Sequence, residues 1–204
     1  MKAESTNIQD YVKRTEVIDY DNELILSKCH ELENGTIDEI DLIKKIYEFV
    51  RDEISHSGDV GAQELTYKAS EVLISGHGIC CAKSHLLAAM LRSFSIPTGF
   101  CYQKLCLDND PSKKLLHGLN AVYLKDFGIW IRLDARGNKE GVDAQFSVHE
   151  EKIAWPINKE LGEEDNELIY ADPNSTVIEV MRKSKDRDEL WTHWELGLKD
   201  LFDA

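Results

Sequence analysis

The chain has 204 residues, and its 24 Lys and Arg against 38 Asp and Glu give a formal net charge of −14. A surface with this negative excess repels phosphate backbones, which argues against a nucleic-acid-binding protein. With 42% hydrophobic residues the chain can fill a core, so it is not a disordered acidic tail. Its length suits one domain, and we expect a single domain over residues 1–204.

The cysteines and the N-terminus bear on the cellular compartment. Five cysteines are an odd number in a chain long enough to fold without disulfides, namely Cys29, Cys80, Cys81, Cys101 and Cys106. The N-terminal residues lack the apolar stretch of a signal peptide, and no apolar run approaches the ~20 residues that cross a bilayer. We therefore expect a cytoplasmic protein with reduced thiols and no membrane association. The oligomeric state stays open.

The first half of the chain has helical periodicity. Apolar residues at three- and four-residue spacings predict an amphipathic helix over residues 37–54, with shorter helices over 22–34 and 64–75. Residues 55–63 contain two glycines and no periodicity, which predicts a loop of the kind that lies over a site. A further helix is predicted to begin at about Cys80, and its apolar stripe indicates a central, buried position.

After Pro97 the helical spacing ends, and apolar residues alternate with polar ones. Three antiparallel strands are predicted over residues 100–107, 119–124 and 129–133, with Lys125 to Gly128 turning the second into the third. Residues 139–170 hold nine acidic residues against three basic ones and predict a solvated, partly irregular lobe outside the segments that carry chemistry. Two helical pieces follow over residues 175–202, and Trp191, Trp194 and Leu198 are expected to dock them on the rest of the fold. These elements predict an α+β fold, with N-terminal helices and the cysteine-bearing helix packed on an antiparallel sheet.

Cys80 occupies a position that favours chemistry. A cysteine in the first turn of a helix lies at the positive end of the helix dipole, near N–H groups without intrahelical partners, and both stabilise its thiolate. Such thiols can be nucleophilic at neutral pH. Gly76 and Gly78 let the backbone turn sharply and leave space in front of the sulfur. The alternative is a buried helix-start cysteine without chemistry.

A thiol nucleophile needs an imidazole as base and an acceptor that orients it, and His117 and Asp134 are candidates. His117 lies just before one predicted strand and Asp134 ends the next. A two- or four-residue turn places both side chains on one face, directly opposed or one diagonal step apart, with roughly 5 to 8 Å between their Cβ atoms. An odd turn or a bulge separates them. Taken singly, His117 reads as a surface histidine and Asp134 as a turn residue.

Three segments in order resemble the transglutaminase-like superfamily of papain-like cysteine enzymes. They cover roughly residues 42–137 and are IYEFVRDEIS, ASEVLISGHGICCAKSHLLAAMLRSFSIPTGFCY and HGLNAVYLKDFGIWIRLDARG. The resemblance implies a papain-like core, with Cys80 as nucleophile, His117 as general base and then acid, and Asp134 as the group that orients the imidazole. Two features depart from the family. Leu119 stands where many members have an aromatic residue, and Asp134-Ala135-Arg136 replaces the usual Asp-Pro-Thr-like ending.

The resemblance implies acyl transfer. The Cys80 thiolate attacks an amide carbonyl, and the thioester is then released to water or to an amine. We expect a hydrolase, a cysteine peptidase or amidase acting on a peptide or protein without a cofactor. A protein-glutamine acyltransferase and a catalytically silent peptide-binding module are the alternatives. The oxyanion would meet the Cys80 backbone N–H and a second donor that the sequence does not identify. Cys81 is the competing nucleophile, but the Gly-x-Cys spacing favours Cys80.

A metal site is a second interpretation of the same residue types. Its candidate ligands are Cys80, Cys81, His85, Cys101, Cys106 and His117. The spacings fit a zinc knuckle poorly, since two cysteines five apart on a strand point to opposite faces. We therefore predict no metal and assign Cys29, Cys101 and Cys106 to the core. Trp130 and Trp155 are expected to pack in the core and the lobe, and His56, His149 and His193 to lie on the surface. His77 and His85 flank the start of the cysteine-bearing helix and could line the cleft, and His85 could equally be a packed polar residue.

Overall fold

The computed structural model describes residues 1–202. Its helices are α1 (Glu23–Glu33), α2 (Glu39–Asp52), α3 (Ser57–Val60), α4 (Ala69–Ser75), α5 (Cys80–Ser93), α6 (Ser175–Lys183) and α7 (Arg187–Phe202). Its strands are β1 (Lys2–Ala3), β2 (Ser55–His56), β3 (His77–Gly78), β4 (Thr98–Cys106), β5 (Lys114–Leu124), β6 (Ile129–Leu133), β7 (Glu164–Asp165) and β8 (Leu168–Ile169). Single 3₁₀ turns occur at Ile8–Val12, Leu107–Asn109 and Lys159–Leu161.

Helix α5 lies at the centre of the molecule. Every residue from Cys80 to Arg92 is buried, including Lys83 and His85. The helix packs against α1, α2 and α4 on one side and against β4 and β5 on the other. Both predictions are confirmed, the buried central helix and the α+β fold in which it packs on an antiparallel sheet.

The two N-terminal helices begin at side-chain caps. The Asn22 carboxamide accepts a hydrogen bond from the Leu24 N–H at the start of α1, and the Asp38 carboxylate accepts one from the Asp41 N–H at the start of α2. Such caps satisfy N–H groups that lack intrahelical partners. The buried part of the α2 stripe includes Ile43, Ile46 and Val50, whereas Ile40 and Phe49 are half-buried. The two predicted helices are confirmed within two residues at each end.

The main sheet has the antiparallel order β6-β5-β4-β7. In the β5–β6 hairpin Asn120 pairs with Leu133, and the turn consists of the four residues between Leu124 and Ile129. This even turn places residue 134 opposite residue 119, one diagonal step from His117 on the same face. The predicted hairpin register is confirmed.

Two predicted element boundaries and one predicted loop are wrong. Strand β5 starts at Lys114, because residues 114–118 pair with β4, so His117 lies within the strand. Helix α4 starts at Ala69 and not at residue 64, because the Glu71 carboxylate accepts hydrogen bonds from the N–H groups of Tyr67 and Lys68 and fixes the helix start there. The predicted loop over residues 55–63 contains β2, which pairs with β3, and the single turn α3.

The C-terminal part follows the sequence prediction in outline. Residues 139–170 are mostly irregular, although Ile153 and Ala154 are buried. Helices α6 and α7 pack together, and α7 docks on β5 through Trp194 and Leu198, which are buried as expected, whereas Trp191 is 43% exposed and its predicted docking role is wrong. Across residues 1–202, none of the helices has the length and hydropathy that a bilayer crossing requires.

Candidate active site

The start of α5 presents Cys80 at an uncapped helix end. Ile79 occupies the N-cap position and offers no side-chain hydrogen bond, so no capping side chain competes for the first N–H groups. Gly76 ends α4 with φ +67°, a left-handed conformation that favours glycine, and the chain then passes through β3 to Cys80. The Cys80 side chain is 6% exposed. Helix dipole and free N–H groups together favour a negative charge on the sulfur.

Strand β5 passes directly beside the thiols. The Gly118 N–H donates to the Cys80 Sγ at 3.5 Å. A Cβ atom at Gly118 would lie 2.6 Å from the Cys81 Sγ and 3.1 Å from the Cys81 Cα. Glycine at 118 is therefore required by the close approach of the α5 backbone and not by an unusual φ.

His117 and Asp134 are in direct contact. The Nε2 atom of His117 lies 2.8 Å from the Asp134 Oδ2, and both side chains are buried. Because Nε2 is engaged, Nδ1 is the ring nitrogen left to face Cys80. Asp134 also accepts hydrogen bonds from the Arg136 N–H at 3.1 Å and the Ala154 N–H at 3.0 Å. Although burial opposes it, the charge of His117 together with these donors lowers the pKa of Asp134.

Cys80, Cys81 and His117 shift one another's pKa values. The pKa of Cys80 is well below that of a free thiol, because a hydrogen bond from Cys81, followed by the charge and hydrogen bonds of His117 and His56, outweighs burial. Burial lowers the pKa of His117, but the charges of Asp134 and Cys80 raise it to about 10. The hydrogen bond to Cys80 and burial raise the pKa of Cys81 well above its usual value. These shifts favour a thiolate on Cys80 and an imidazolium on His117, with Cys81 as a thiol donor.

The remaining cysteines lack this environment. Burial raises the pKa of Cys29 to about 11 and that of Cys101 to about 12. Both lie in the core as predicted, whereas Cys106 is half-buried at the end of β4, so its assignment to the core is wrong. Within residues 1–202, the structure brings together no group of three or more His, Cys, Asp or Glu side chains suited to a metal ion.

His56 was expected on the surface, but it is half-buried beside Cys80. Its strand β2 pairs with β3, which places His56 next to Gly78. The Gly58 N–H donates to Nδ1 at 3.2 Å, so Nε2 carries the proton of the neutral ring, and the His56 side chain helps to lower the pKa of Cys80. Burial lowers the pKa of His56, which favours the neutral form. The sequence signal for this residue is its place in the segment expected to lie over a site.

The acidic lobe also reaches the site, contrary to expectation. The Trp155 ring meets His117 edge-on, with 5.0 Å between ring centroids, and the Ala154 N–H binds Asp134. The Arg136 guanidinium lies over the Trp155 ring at 5.2 Å and binds both carboxylate oxygens of Asp59. Trp155 is therefore more than lobe packing, because long-range contacts that leave no local sequence pattern place it against the imidazole.

The other histidines do not join this cluster. His85 is fully buried, and its Nδ1 lies 2.7 Å from the Tyr67 carbonyl oxygen, while its ring meets Phe100 edge-on. Burial lowers the pKa of His85 to about 4, as fits a neutral core residue. His149 and His193 are exposed as predicted.

Lys83 joins the segments that carry the site residues. Its ammonium donates to the carbonyl oxygens of Arg51 at 3.2 Å and Arg136 at 3.0 Å, and also to that of Ile54. These carbonyls belong to the end of α2, the approach to His56 and the turn after Asp134. Every N–H of the ammonium thus has a backbone acceptor, and three segments are fixed to α5.

Lys83→Met is expected to lower the free energy of unfolding by about 3 kcal/mol, because it leaves three buried carbonyls without donors. Urea unfolding followed by circular dichroism measures the loss. Lys44→Met is the matched control, since Lys44 is exposed on α2 and its ion pair with Glu48 spans 4.0 Å. Equal stabilities of the two variants would contradict the structural role of Lys83.

Comparison with known proteins places this geometry in a family. The family model described as the transglutaminase-like superfamily matches residues 27–135, just over half of the chain. The chain belongs to the transglutaminase-like superfamily. The match confirms the resemblance and begins about one helix earlier than the segments that first indicated it. All three site candidates, Cys80, His117 and Asp134, lie within the matched range.

Two solved structures are similar to this chain. A candidate cysteine protease from Cytophaga hutchinsonii has a TM-score of 0.51 at 18% identity, over 65% of this chain and 43% of its own. A candidate protease from Parabacteroides distasonis has a TM-score of 0.41 at 16% identity, over 63% of this chain and 25% of its own. The first similarity shows a shared fold, and this chain spans less than half the length of either protein. A search among curated proteins finds no significant match.

Proposed function

We propose that Cys80, His117 and Asp134 form the catalytic triad of a thiol hydrolase, a cysteine peptidase or amidase that cleaves amide bonds in peptides or proteins. The observation that carries the proposal is the buried His117–Asp134 hydrogen bond of 2.8 Å beside a cysteine at an uncapped helix start. The opposite pKa shifts of Cys80 and His117 support a preformed nucleophile and proton donor. The cysteine-protease description of the similar Cytophaga structure is in line with water as the acceptor.

The reaction proceeds in two halves. The Cys80 thiolate attacks the amide carbon, and the carbonyl electron pair moves to oxygen. As the tetrahedral intermediate collapses, the C–N bond breaks, and His117 gives its Nδ1 proton to the leaving amine, which leaves a thioester. Water then attacks the thioester and gives a proton to His117. The C–S bond breaks, an acid is released, and the thiolate–imidazolium pair is restored.

His56 supplies the second donor for the oxyanion. The Cys80 backbone N–H lies at the helix start, where the dipole favours negative charge. In the neutral His56 ring Nε2 is the donor, because the Gly58 N–H occupies Nδ1, and the pairing of β2 with β3 places this ring beside Gly78, two residues before Cys80. Two donors from two elements thus face the position where the carbonyl oxygen becomes charged. The neutral ring stabilises the oxyanion without competing with His117 as an acid.

Mass spectrometry of a substrate panel tests the proposal. Peptides and glutamine-containing proteins are incubated with wild type and Cys80→Ala, with and without an amine donor, and scored for cleavage, deamidation and cross-linking. We expect cleavage or deamidation by the wild type and a loss of at least about 10³-fold in Cys80→Ala. Cys101→Ala is the control, because this thiol is buried on β4.

Three outcomes of this panel are decisive. Equal product formation by wild type and Cys80→Ala would overturn the triad. Amine incorporation in preference to hydrolysis would identify an acyltransferase and overturn the choice of water as acceptor. Absence of products, together with Cys80 alkylation no faster than that of Cys106, would indicate a binding module of the same fold.

A further inference from the structure

Trp194 on α7 reaches the backbone of the strand that carries His117. Its indole Nε1–H donates to the Leu116 carbonyl oxygen at 3.0 Å, and the side chain is 2% exposed. The Cys80 Sγ lies 3.9 Å from the same carbonyl oxygen. The Leu116 carbonyl thus lies beside both an indole donor and the sulfur of the candidate nucleophile.

The Leu116 carbonyl disfavours a thiolate. A carbonyl oxygen carries partial negative charge, so it attracts an S–H group and repels a sulfur anion at the same distance. A strong donor on that oxygen weakens both effects, since the oxygen already has a partner and its charge is partly compensated. The indole N–H is such a donor. Its nitrogen lies 3.0 Å from the carbonyl oxygen, whereas the Cys80 sulfur lies 3.9 Å from it.

The other groups that face Cys80 are already engaged. They are the Cys81 thiol from α5, the His117 imidazole from β5 with Asp134 behind it, and the His56 imidazole from β2. The Gly118 N–H also donates to the sulfur. All of these favour the anion, so the Leu116 carbonyl is the polar neighbour whose effect has the opposite sign.

We propose that Trp194 is a positioning residue of this site: its indole N–H holds the Leu116 carbonyl and thereby favours the Cys80 thiolate. The proposal rests on the proposed function, because it concerns the reactivity of the same nucleophile. It assigns a role to α7, which lies outside the residues 27–135 that match the family. Trp194 acts through the carbonyl and touches no reacting atom, so it is not a catalytic residue.

Helix α7 is fastened to the opposite side of the site as well. The Arg187 guanidinium donates to the Ser57 carbonyl at 2.7 Å, and its backbone N–H donates to the Gln63 carbonyl at 3.0 Å. Ser57 directly follows His56. The same helix therefore contacts the segment of the second oxyanion donor and the strand of the general base, which fixes the direction of the Trp194 indole.

The pH dependence of Cys80 alkylation tests the role of Trp194. Iodoacetamide is added to wild type and Trp194→Phe from pH 4 to 9, and the modified Cys80 is quantified by tandem mass spectrometry. Phe keeps an aromatic ring but lacks the N–H. We expect the apparent pKa of Cys80 to rise by about half to one unit, so that alkylation below that pKa slows about 3- to 10-fold.

Two variants separate this effect from packing. Trp191→Phe makes the same chemical change on the same helix at a side chain that is 43% exposed, and its pH profile is expected to match the wild type. Leu198→Ala removes a buried apolar side chain from the same helix but leaves the Trp194 indole N–H in place, and its profile is also expected to match. Thermal unfolding measures how far each variant is destabilised, and Leu198→Ala is expected to lose at least as much stability as Trp194→Phe.

The outcomes distinguish the two proposals. A wild type without a low-pKa Cys80 overturns the proposed function itself. A normal wild type with an unchanged Trp194→Phe profile, or with an equal shift in Leu198→Ala, overturns the role of Trp194 alone. If Trp194→Phe does not fold, the Trp194 indole N–H resonance of the wild type replaces it. That resonance is expected to shift with the Cys80 titration and to lose the shift in Cys80→Ala, and a resonance that does not move overturns the role.

Discussion

Asp134→Asn is expected to lower kcat by about 10³-fold while the fold persists, because an amide keeps the shape but loses the charge that orients and stabilises the His117 imidazolium. The carboxylate now accepts from His117, the Arg136 N–H and the Ala154 N–H. An amide presents one acceptor and one donor, so at least one of these hydrogen bonds is lost. Initial rates on a substrate from the panel measure the loss.

The pH profile gives the same variant a second signature. In the wild type the charge of Asp134 helps to raise the pKa of His117 to about 10, so the ring stays protonated through the neutral range and can donate to the leaving amine. Without that charge the pKa of His117 falls, and the alkaline limb of kcat/KM moves to lower pH. Asp126→Asn, in the exposed turn of the same hairpin, is the matched control. An unshifted alkaline limb in Asp134→Asn would contradict the assigned role.

His56→Ala is expected to lower kcat by about 10²- to 10³-fold with little change in KM, since an oxyanion donor acts mainly in the transition state. His56→Gln keeps an N–H donor at a similar distance and is expected to recover part of the rate. Steady-state kinetics of the three proteins separate kcat from KM. The exposed His149→Ala is the control for removal of an imidazole.

A different pattern would give His56 another function. If Ala and Gln are equally impaired and KM rises with the loss of rate, the ring contributes to substrate binding and not to the oxyanion. If Cys80 alkylation at neutral pH falls as steeply as kcat, His56 acts through the thiolate. The oxyanion assignment holds when kcat falls much further than the alkylation rate.

The elements nearest to Cys80 were predictable because their signals are local. The break at Gly76–Gly78 and the apolar stripe that follows define the start of α5, and the structure begins that helix at Cys80. The even turn between residues 124 and 129 fixes which side chains share a face, so the contact of His117 with Asp134 follows from counting residues along a hairpin. The order and spacing of the three sequence segments indicated the transglutaminase-like superfamily.

The surroundings of those residues were not predictable because they depend on contacts distant in sequence. Lys83 reads as an ordinary polar position on a helix, and its burial makes sense only when carbonyls from three segments meet its ammonium. His56 lacks periodic neighbours, and Trp155 lies in a weakly patterned acidic stretch. Each is placed by pairing or packing between segments many residues apart, which no window along the chain contains.

The contribution of the C-terminal lobe changes what can be exchanged between relatives. A chimaera that joins residues 27–135 to a foreign tail would retain the proposed nucleophile, base and orienting carboxylate. It would lose the Ala154 amide, the Trp155 ring and the Trp194 indole. The bond-making groups and the groups that tune them thus lie in different stretches of sequence. If the proposed function holds, tail replacement would change the rate of the reaction while leaving its chemistry the same.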